Sequence, residues 1–79
     1  MNKNEILAKL QEIFCDILDN EDILISFDSC ADDIEGWDSL FQAQLVESVE
    51  SKFGMKFKLR EILSWDSVSN IITCIEKHK

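Results

Sequence analysis

The chain contains no proline and only two glycines in 79 residues, and this limits the kinds of turn that it can make. Tight β-hairpins rely on residues such as glycine and proline at their turns, so a fold built from many short strands is disfavoured. The two glycines, Gly36 and Gly54, stand far apart in the chain. Each is a position where the backbone can adopt a conformation that other residues avoid. The sequence therefore argues against an all-β fold.

The first regular segment has the spacing of an amphipathic helix. Residues 4–18 place apolar side chains three and four positions apart, with Asn4 as the expected N-cap and an end at Asp19–Asn20. Residues 19–37 lack a sustained period and are expected to form a long first loop. A loop of this length in a small domain is either functional or held in place by its own apolar side chains.

Two longer helices and one short helical turn are expected after the loop. Residues 39–53 carry an apolar stripe and end at Gly54. Residues 59–63 have room for only one or two turns, and Asp66 or Ser67 caps a last helix. The expected core-facing positions of the two longer helices are Leu45, Val46, Val49, Phe53, Val68, Ile71, Ile72 and Ile75. The sequence predicts an all-α fold, a small four-helix bundle with three main helices, a short third helix and a long first loop.

The length and net charge of the chain limit the number of domains and the kinds of partner that we expect. A chain of this size does not divide its core between two domains, so residues 1–79 are expected to form one domain. Sixteen acidic and eight basic residues give a formal charge of −8, which argues against nucleic acid and anionic membranes as partners. There is no apolar run of about 18 residues and no signal-peptide pattern. We expect a soluble, cytoplasmic monomer without a membrane span.

The cysteines and the single histidine do not form a familiar site. Cys15, Cys30 and Cys74 are odd in number and scattered, which fits free thiols in a reducing compartment. Cys74 and His78 are four residues apart and could share a helix face, but no second pair of ligands lies nearby in the sequence, so no metal site is expected. A nucleophile–histidine pair would depend on the chain terminus, and no glycine-rich phosphate loop is present. We therefore expect a protein that is not an enzyme.

The start of the second long helix carries two residues that could cap it. Asp38 and Ser39 both have side chains that accept hydrogen bonds from the first backbone N–H groups of a helix. If Asp38 caps, the Ser39 hydroxyl is left at the positive end of the helix dipole, where a phosphodiester is stabilised by about 0.3–1 kcal/mol. If Ser39 caps, Gln42 completes a capping box. Taken alone, these residues favour a plain cap at Ser39, because such caps are common.

The order of elements around this motif resembles that of the acyl carrier protein family. The resemblance rests on Asp38-Ser39-Leu40 two residues after Gly36, and on a helix of matching length that closes with Lys52-Phe53-Gly54. It extends over nearly the whole chain, through the segments EILAKLQEIFCDIL, DDIEGWDSL, SLFQAQLVESVESKFG, LREIL and DSVSNIITCIEKH. The sequence is therefore interpreted as a stand-alone carrier domain.

The resemblance implies a cofactor and a role for each residue of the motif. In the family the matching serine carries 4′-phosphopantetheine through a phosphodiester, so the resemblance assigns Ser39 as the attachment site. A phosphopantetheinyl transferase adds the arm from coenzyme A with Mg²⁺, and Asp38 matches the acid that supports this step. The arm's thiol holds an acyl or aminoacyl cargo as a thioester, which the carrier shuttles between biosynthetic enzymes. Leu40 would lie under the arm.

The same resemblance implies a partner-binding face on the second long helix. We expect Leu40, Phe41 and Glu47 to meet the transferase and the loading and processing enzymes through basic patches on those partners. Phe41 is expected to point outward, where it either contacts partners or folds back onto Trp37 or the loop. Family members of fatty-acid synthesis have a more acidic helix here than this chain, in which Glu47 and Glu50 remain. Fatty-acid, polyketide, aminoacyl and polysaccharide pathways stay open.

Two further expectations concern the core and the alternative function. Ala43, Val46, Ile62 and Ile72 are expected to line a space behind Leu40, which would receive a cargo if the helices part. The alternative to a carrier is an unmodified helical module for protein–protein interaction that retains the carrier fold. Modification of Ser39 distinguishes the two.

Overall fold

The computed structural model describes residues 2–78 and is helical, with no β-strand in that range. Its elements are α1 (Lys3–Leu18), a 3₁₀ turn (Ala31–Asp33), α2 (Ser39–Phe53), α3 (Leu59–Ile62) and α4 (Val68–Lys77). The predicted all-α bundle with a long first loop and a short third helix is confirmed. None of the helices between residues 2 and 78 is long and apolar enough to cross a membrane.

α1 begins earlier than predicted. Asn2, and not Asn4, is its N-cap, because Asn2 has an extended backbone and its Oδ1 accepts the Glu5 N–H at 2.9 Å. Asn4 lies within the first turn of the helix. The other end agrees with the prediction: Asp19 adopts a left-handed conformation with φ of 51° and its N–H donates to the Cys15 carbonyl.

The core lies between three helices, because α1 packs against both α2 and α4. Each of these helices contributes residues spaced three or four apart, as expected for an amphipathic helix. The innermost side chains are Ile6, Leu10, Phe14, Leu45, Val49, Val68, Ile71, Ile72 and Ile75, all 0–1% exposed. Each such burial stabilises the fold by about 1.5–3 kcal/mol, which makes this cluster the main source of stability.

The long first loop is attached to α1 through Gln11. The side-chain amide of Gln11 donates to the Ile23 carbonyl, and its oxygen accepts the Ile25 N–H at 2.8 Å. The Ile25 side chain is buried against the core at 4% exposure. Gln11 thus satisfies loop backbone groups that water would otherwise have to reach. The loop is held by one polar side chain of α1 together with its own apolar residues.

The loop is also paired with the start of α4. Two backbone hydrogen bonds of 2.9 Å, from Ala31 N–H to the Asp66 carbonyl and from Val68 N–H to the Ser29 carbonyl, join the two segments. Ser67 is the N-cap of α4, since its hydroxyl accepts the Asn70 N–H at 3.2 Å. These contacts fix the far end of the loop before the chain turns toward α2.

Glu61 fastens α3 to the end of α4. One carboxylate oxygen, Oε1, accepts the Lys58 backbone N–H at 2.9 Å, and Oε2 lies 2.7 Å from His78 Nε2. The Lys58 hydrogen bond, followed by that of His78, lowers the pKa of Glu61 from 4.5 to about 2. Since α3 is a single turn, its position depends on side-chain contacts of this kind.

Acid should weaken the fold through Glu61. Because the pKa is about 2 in the folded chain and near 4.5 when unfolded, the carboxylate contributes fully above pH 4.5. This contribution is lost as the pH falls through the folded value. We expect the free energy of unfolding of Glu61→Gln to fall less than that of wild type between pH 4.5 and 2. Urea unfolding followed by tryptophan fluorescence measures it, and equal decreases in the two proteins would contradict this assignment.

Candidate functional site

The start of α2 is fixed by Asp38. Its Oδ1 accepts the Phe41 backbone N–H at 2.9 Å, and its backbone is extended, as an N-cap requires. The arrangement in which Asp38 caps the helix is therefore the one that forms, and the capping box of Ser39 and Gln42 is not. Ser39 becomes the first helical residue.

Gly36 lets the loop pass close to α1 just before this cap. Its φ is 93°, in the region that side chains disfavour, and a Cβ there would lie 2.9 Å from Leu18 Cδ2. The Asp38 N–H then donates to the Gly36 carbonyl at 3.0 Å, which closes a tight turn. The positive φ is what requires glycine at this position, since the end of the Leu18 side chain could shift to admit a Cβ.

Ser39 is exposed at the N-terminus of α2. Since Asp38 supplies the capping oxygen, no hydrogen bond of the described residues uses the Ser39 hydroxyl. The first backbone N–H groups of the helix and its dipole favour negative charge at this end. A phosphate ester on Ser39 fits this environment. The assignment of Ser39 as the attachment residue stays a prediction.

Gln42 joins the loop, α2 and α3. Its Oε1 accepts the Trp37 indole N–H at 2.9 Å, and its Nε2 donates to the Ile62 carbonyl at 3.1 Å. Both partners are partly buried, so the pair of hydrogen bonds satisfies groups that would otherwise be costly to bury. The sequence suggests only a capping box with Ser39 for Gln42, because nothing local indicates a partner twenty residues away.

An apolar groove of about 530 Å³ lies beside Ser39, between α2 and α3. Its wall consists of Trp37, Asp38, Ser39, Gln42, Ala43, Val46, Leu59, Ile62 and Leu63. The side chains of Leu59 and Leu63 are 71% and 75% exposed, which is unusual for leucine next to an apolar surface. Neither leucine was singled out from the sequence, since both looked like ordinary residues of a short helical turn.

The groove differs in part from the predicted space. Ala43, Val46 and Ile62 line it as expected, whereas Ile72 is 1% exposed in the core and does not. The groove also opens beside Ser39 and not behind Leu40. Leu40 lies on another face of α2, because neighbours in a helix are about 100° apart.

The expected outward position of Phe41 is wrong. The ring is 3% exposed and packs edge-on against Phe14, with centroids 5.1 Å apart, and against Trp37 at 5.7 Å. Phe41 is four residues before Leu45 and eight before Val49, so it belongs to the same buried stripe. A buried ring is not a surface for partners, and the assignment of Phe41 to partner binding is corrected accordingly.

The two other residues assigned to partners lie at the surface. Leu40 is 69% exposed, and Glu47 is exposed about two turns further along α2. Their partner role stays a prediction. Glu50 has a structural role, because its Oε2 accepts the Phe57 backbone N–H at 2.9 Å and so anchors the connector to α2.

Comparison with known proteins finds a matching family model and a related protein. A family model described as a phosphopantetheine attachment site matches residues 8–75. Over 73 residues the chain is 34% identical to the non-reducing polyketide synthase pkdA of Emericella nidulans. That match covers 91% of this chain but only 3% of the synthase, so the chain spans a very small part of that relative.

The fold also resembles a solved structure. The holo acyl carrier protein from Geobacter metallireducens, determined by solution NMR, superposes with a TM-score of 0.81 at 31% identity. The match covers 90% of this chain and 82% of that one. This likeness extends over all the main elements and so supports the arrangement of the whole bundle.

Removing the cap should cost more stability than removing the neighbouring hydroxyl. Asp38→Ala leaves the Phe41 N–H without its acceptor, and we expect a loss of about 1 kcal/mol. Ser39→Ala should change the free energy of unfolding by less than about 0.5 kcal/mol, since the hydroxyl supports no helix N–H. Urea denaturation of both variants measures the difference. A larger loss in Ser39→Ala would reverse the two roles.

Truncation to alanine should destabilise the fold strongly at Phe41 and hardly at all at the adjacent Leu40. Phe41→Ala removes a ring from the core and should cost about 3–5 kcal/mol, which can unfold a domain of this size. Leu40→Ala removes an exposed side chain and should stay within about 0.5 kcal/mol of wild type. Thermal unfolding by circular dichroism compares them, and similar losses in both variants would contradict the burial of Phe41.

Proposed function

The chain belongs to the phosphopantetheine-attachment family of carrier proteins, and from this we propose that it carries an acyl or aminoacyl cargo on Ser39. In this proposal residues 1–79 act as one carrier domain. The domain is a non-catalytic carrier, and its cofactor is 4′-phosphopantetheine. Beyond membership of the family, we propose the attachment residue, the class of cargo and the kinds of enzyme that the carrier serves.

The position of Ser39 is the observation that carries the proposal. It is an exposed hydroxyl at the N-terminus of a well-formed helix, and Asp38 has taken over the capping that a serine there would otherwise provide. A transferase can therefore modify Ser39 without removing a hydrogen bond on which α2 depends. The phosphate that results would lie at the favourable end of the helix dipole.

Each residue near the attachment point has a separate task in this proposal. When attached, the arm supplies a thiol that holds the cargo as a thioester. Ser39 Oγ provides the ester oxygen, and the first N–H groups of α2 face the phosphate. Asp38 uses Oδ1 for the cap, and because the residue is exposed, its second oxygen can support the Mg²⁺ of the transferase. The chain itself moves no proton in a catalytic step.

The groove next to Ser39 supports an apolar cargo. Most of its wall is aliphatic, and the exposed Leu59 and Leu63 extend the apolar surface outward from the groove. An acyl chain carried on the arm can bury part of its length there, at about 25 cal/mol for each Å² removed from water. The similarity to part of a polyketide synthase also supports an acyl cargo over an aminoacyl one.

The negative net charge of the chain and the exposed residues of α2 favour partner enzymes that have basic patches and share its compartment. The chain carries a formal charge of −8, and Leu40 and Glu47 lie at the surface of α2. A phosphopantetheinyl transferase and cargo-loading or cargo-processing enzymes with basic patches would be attracted to this surface. We place the carrier in the cytoplasm, as a monomer, where such enzymes and coenzyme A meet.

Intact-mass measurement tests the proposal. The protein is incubated with coenzyme A, Mg²⁺ and a phosphopantetheinyl transferase of broad specificity. We expect the mass to increase by one phosphopantetheine in wild type and not in Ser39→Ala. Ser51→Ala, which removes another exposed hydroxyl of α2, is the matched control and should be modified like wild type.

Two results would count against the proposal in different ways. Modification that persists in Ser39→Ala would place the arm on another residue. No modification of wild type under any condition would favour an unmodified interaction module with a carrier fold. Loading of the modified protein with acyl and aminoacyl thioester donors then compares the classes of cargo.

A further inference from the structure

Three possible metal ligands from two helices meet at the end of the bundle. Glu61 comes from α3, Cys74 from α4, and His78 directly follows α4. One carboxylate oxygen, the thiol sulfur and one ring nitrogen all lie within 4.8 Å of one another. Oxygen, sulfur and nitrogen in this combination are ligands of zinc and related transition metals, whereas Mg²⁺ and Ca²⁺ prefer oxygen alone.

Cys74 Sγ and Glu61 Oε2 have the spacing of a tetrahedral site, and His78 Nε2 lies closer to Glu61 than such a site requires. Zn–S bonds near 2.3 Å and Zn–N or Zn–O bonds near 2.1 Å place neighbouring ligand atoms about 3.4–3.6 Å apart. Cys74 Sγ and Glu61 Oε2 are already 3.5 Å apart. His78 Nε2 lies 2.7 Å from the same oxygen, so the ring has to retreat by less than about 1 Å to admit an ion.

Surrounding groups hold the three side chains in place. The Lys58 N–H occupies Oε1 of Glu61 and leaves Oε2 directed at the other two ligands. The ring of His78 packs edge-on against Phe57, with centroids 4.8 Å apart. Such outer contacts orient the ligands of known metal sites and strengthen binding.

A buried N–H supports the sulfur ligand in particular. The indole N–H of Trp65 is buried without a hydrogen-bond partner among the described residues, in a ring that is 2% exposed. Buried polar groups of this kind need an explanation. Burial raises the pKa of the Cys74 thiol, and the Trp65 indole N–H acts in the opposite direction. A metal-bound thiolate would give the indole N–H the charged acceptor that it lacks.

We propose that Glu61, Cys74 and His78 bind one Zn²⁺ ion, with water in the fourth position. One carboxylate and one thiolate balance the charge of the ion, and neutral His78 donates its nitrogen lone pair. Binding releases the thiol proton of Cys74 to solvent, and no electron is transferred. This departs from the expectation that no metal binds, which rested on Cys74 and His78 having no further ligand nearby in the sequence. Glu61 lies thirteen residues before Cys74 and is brought to it only by the fold.

The ion would fasten α3 to α4 more firmly than the Glu61–His78 contact does by itself. α3 also provides Leu59 and Ile62 to the groove beside Ser39. Zinc would therefore hold one wall of that groove in position.

Cobalt substitution tests the site in the whole 79-residue chain. The protein is treated with chelator, kept reduced and titrated with Co²⁺, whose thiolate charge-transfer band reports a Co–S bond. We expect one equivalent to bind, Zn²⁺ to displace it, and a hundredfold excess of Zn²⁺ over its Kd to raise Tm by about 10 °C or more. Trp65→Phe should weaken binding about tenfold or more.

Matched variants identify the ligands. Cys74→Ser should abolish the charge-transfer band, whereas Cys30→Ser, which removes an exposed thiol elsewhere, should keep it. Ser39→Ala should also keep the band, which excludes the thiol of a phosphopantetheine arm as its source. His78→Gln, at the exposed end of the chain, and Glu61→Gln should each weaken binding about tenfold or more without abolishing the fold.

Three outcomes would overturn the proposal. The first is no charge-transfer band with wild type, and the second is a band that survives in Cys74→Ser. The third is Zn²⁺ affinity that is unchanged in both His78→Gln and Glu61→Gln, which would mean an adventitious ion only, bound at the acidic surface. Because His78 is an exposed residue and its replacement removes no buried side chain, this last comparison holds even if Cys74→Ser fails to fold.

Discussion

The hydrogen bond from the Phe41 N–H to the Asp38 carboxylate sets the position from which α2 starts. Every residue of the helix then has a fixed direction, because each step turns the side chain by about 100°. Ser39 is exposed at the N-terminus of α2, the Phe41 ring is buried in the core, and the Gln42 side chain contacts α3. If α2 began one residue later, the side chains of these three residues would point in other directions. One capping contact therefore determines both the core packing of α2 and the chemistry available at its surface.

Much of the fold could be predicted from the sequence, because apolar spacing and caps are local signals. The bounds of α2, its end at Gly54 and the short α3 agree with the prediction. Asp38 and Ser39 were identified as the residues that compete to cap α2, and the structure decides between them. The start of α1 differed by two residues, since Asn2 and Asn4 are equally suitable caps by their chemistry.

What could not be predicted depends on contacts between residues distant in the sequence. Nothing near Gln11 or Gln42 in the sequence indicates their partners, yet each satisfies backbone or side-chain groups in another part of the chain. The error at Phe41 had a different cause, because its distance from Leu45 was available in the sequence. The spacing of Phe41, Leu45 and Val49 indicates a buried ring, whereas the adjacent Asp-Ser-Leu motif suggests an exposed one, and the helical spacing prevails. Glu61 could be assigned only after the fold had brought it to α4.

The brevity of α3 has a consequence for the size of the groove. Four residues form a single turn with few internal hydrogen bonds, and such a turn is not stable without support from outside. Its supports are the Glu61 contacts, one amide of Gln42 and the partly buried Ile62 side chain, which packs at the edge of the core. Hydrogen exchange at α3 should then occur by local opening, at a much smaller free energy than unfolding of the whole chain. Because α3 forms one side of the groove and opens locally, the volume available to a cargo differs among the conformations that α3 adopts.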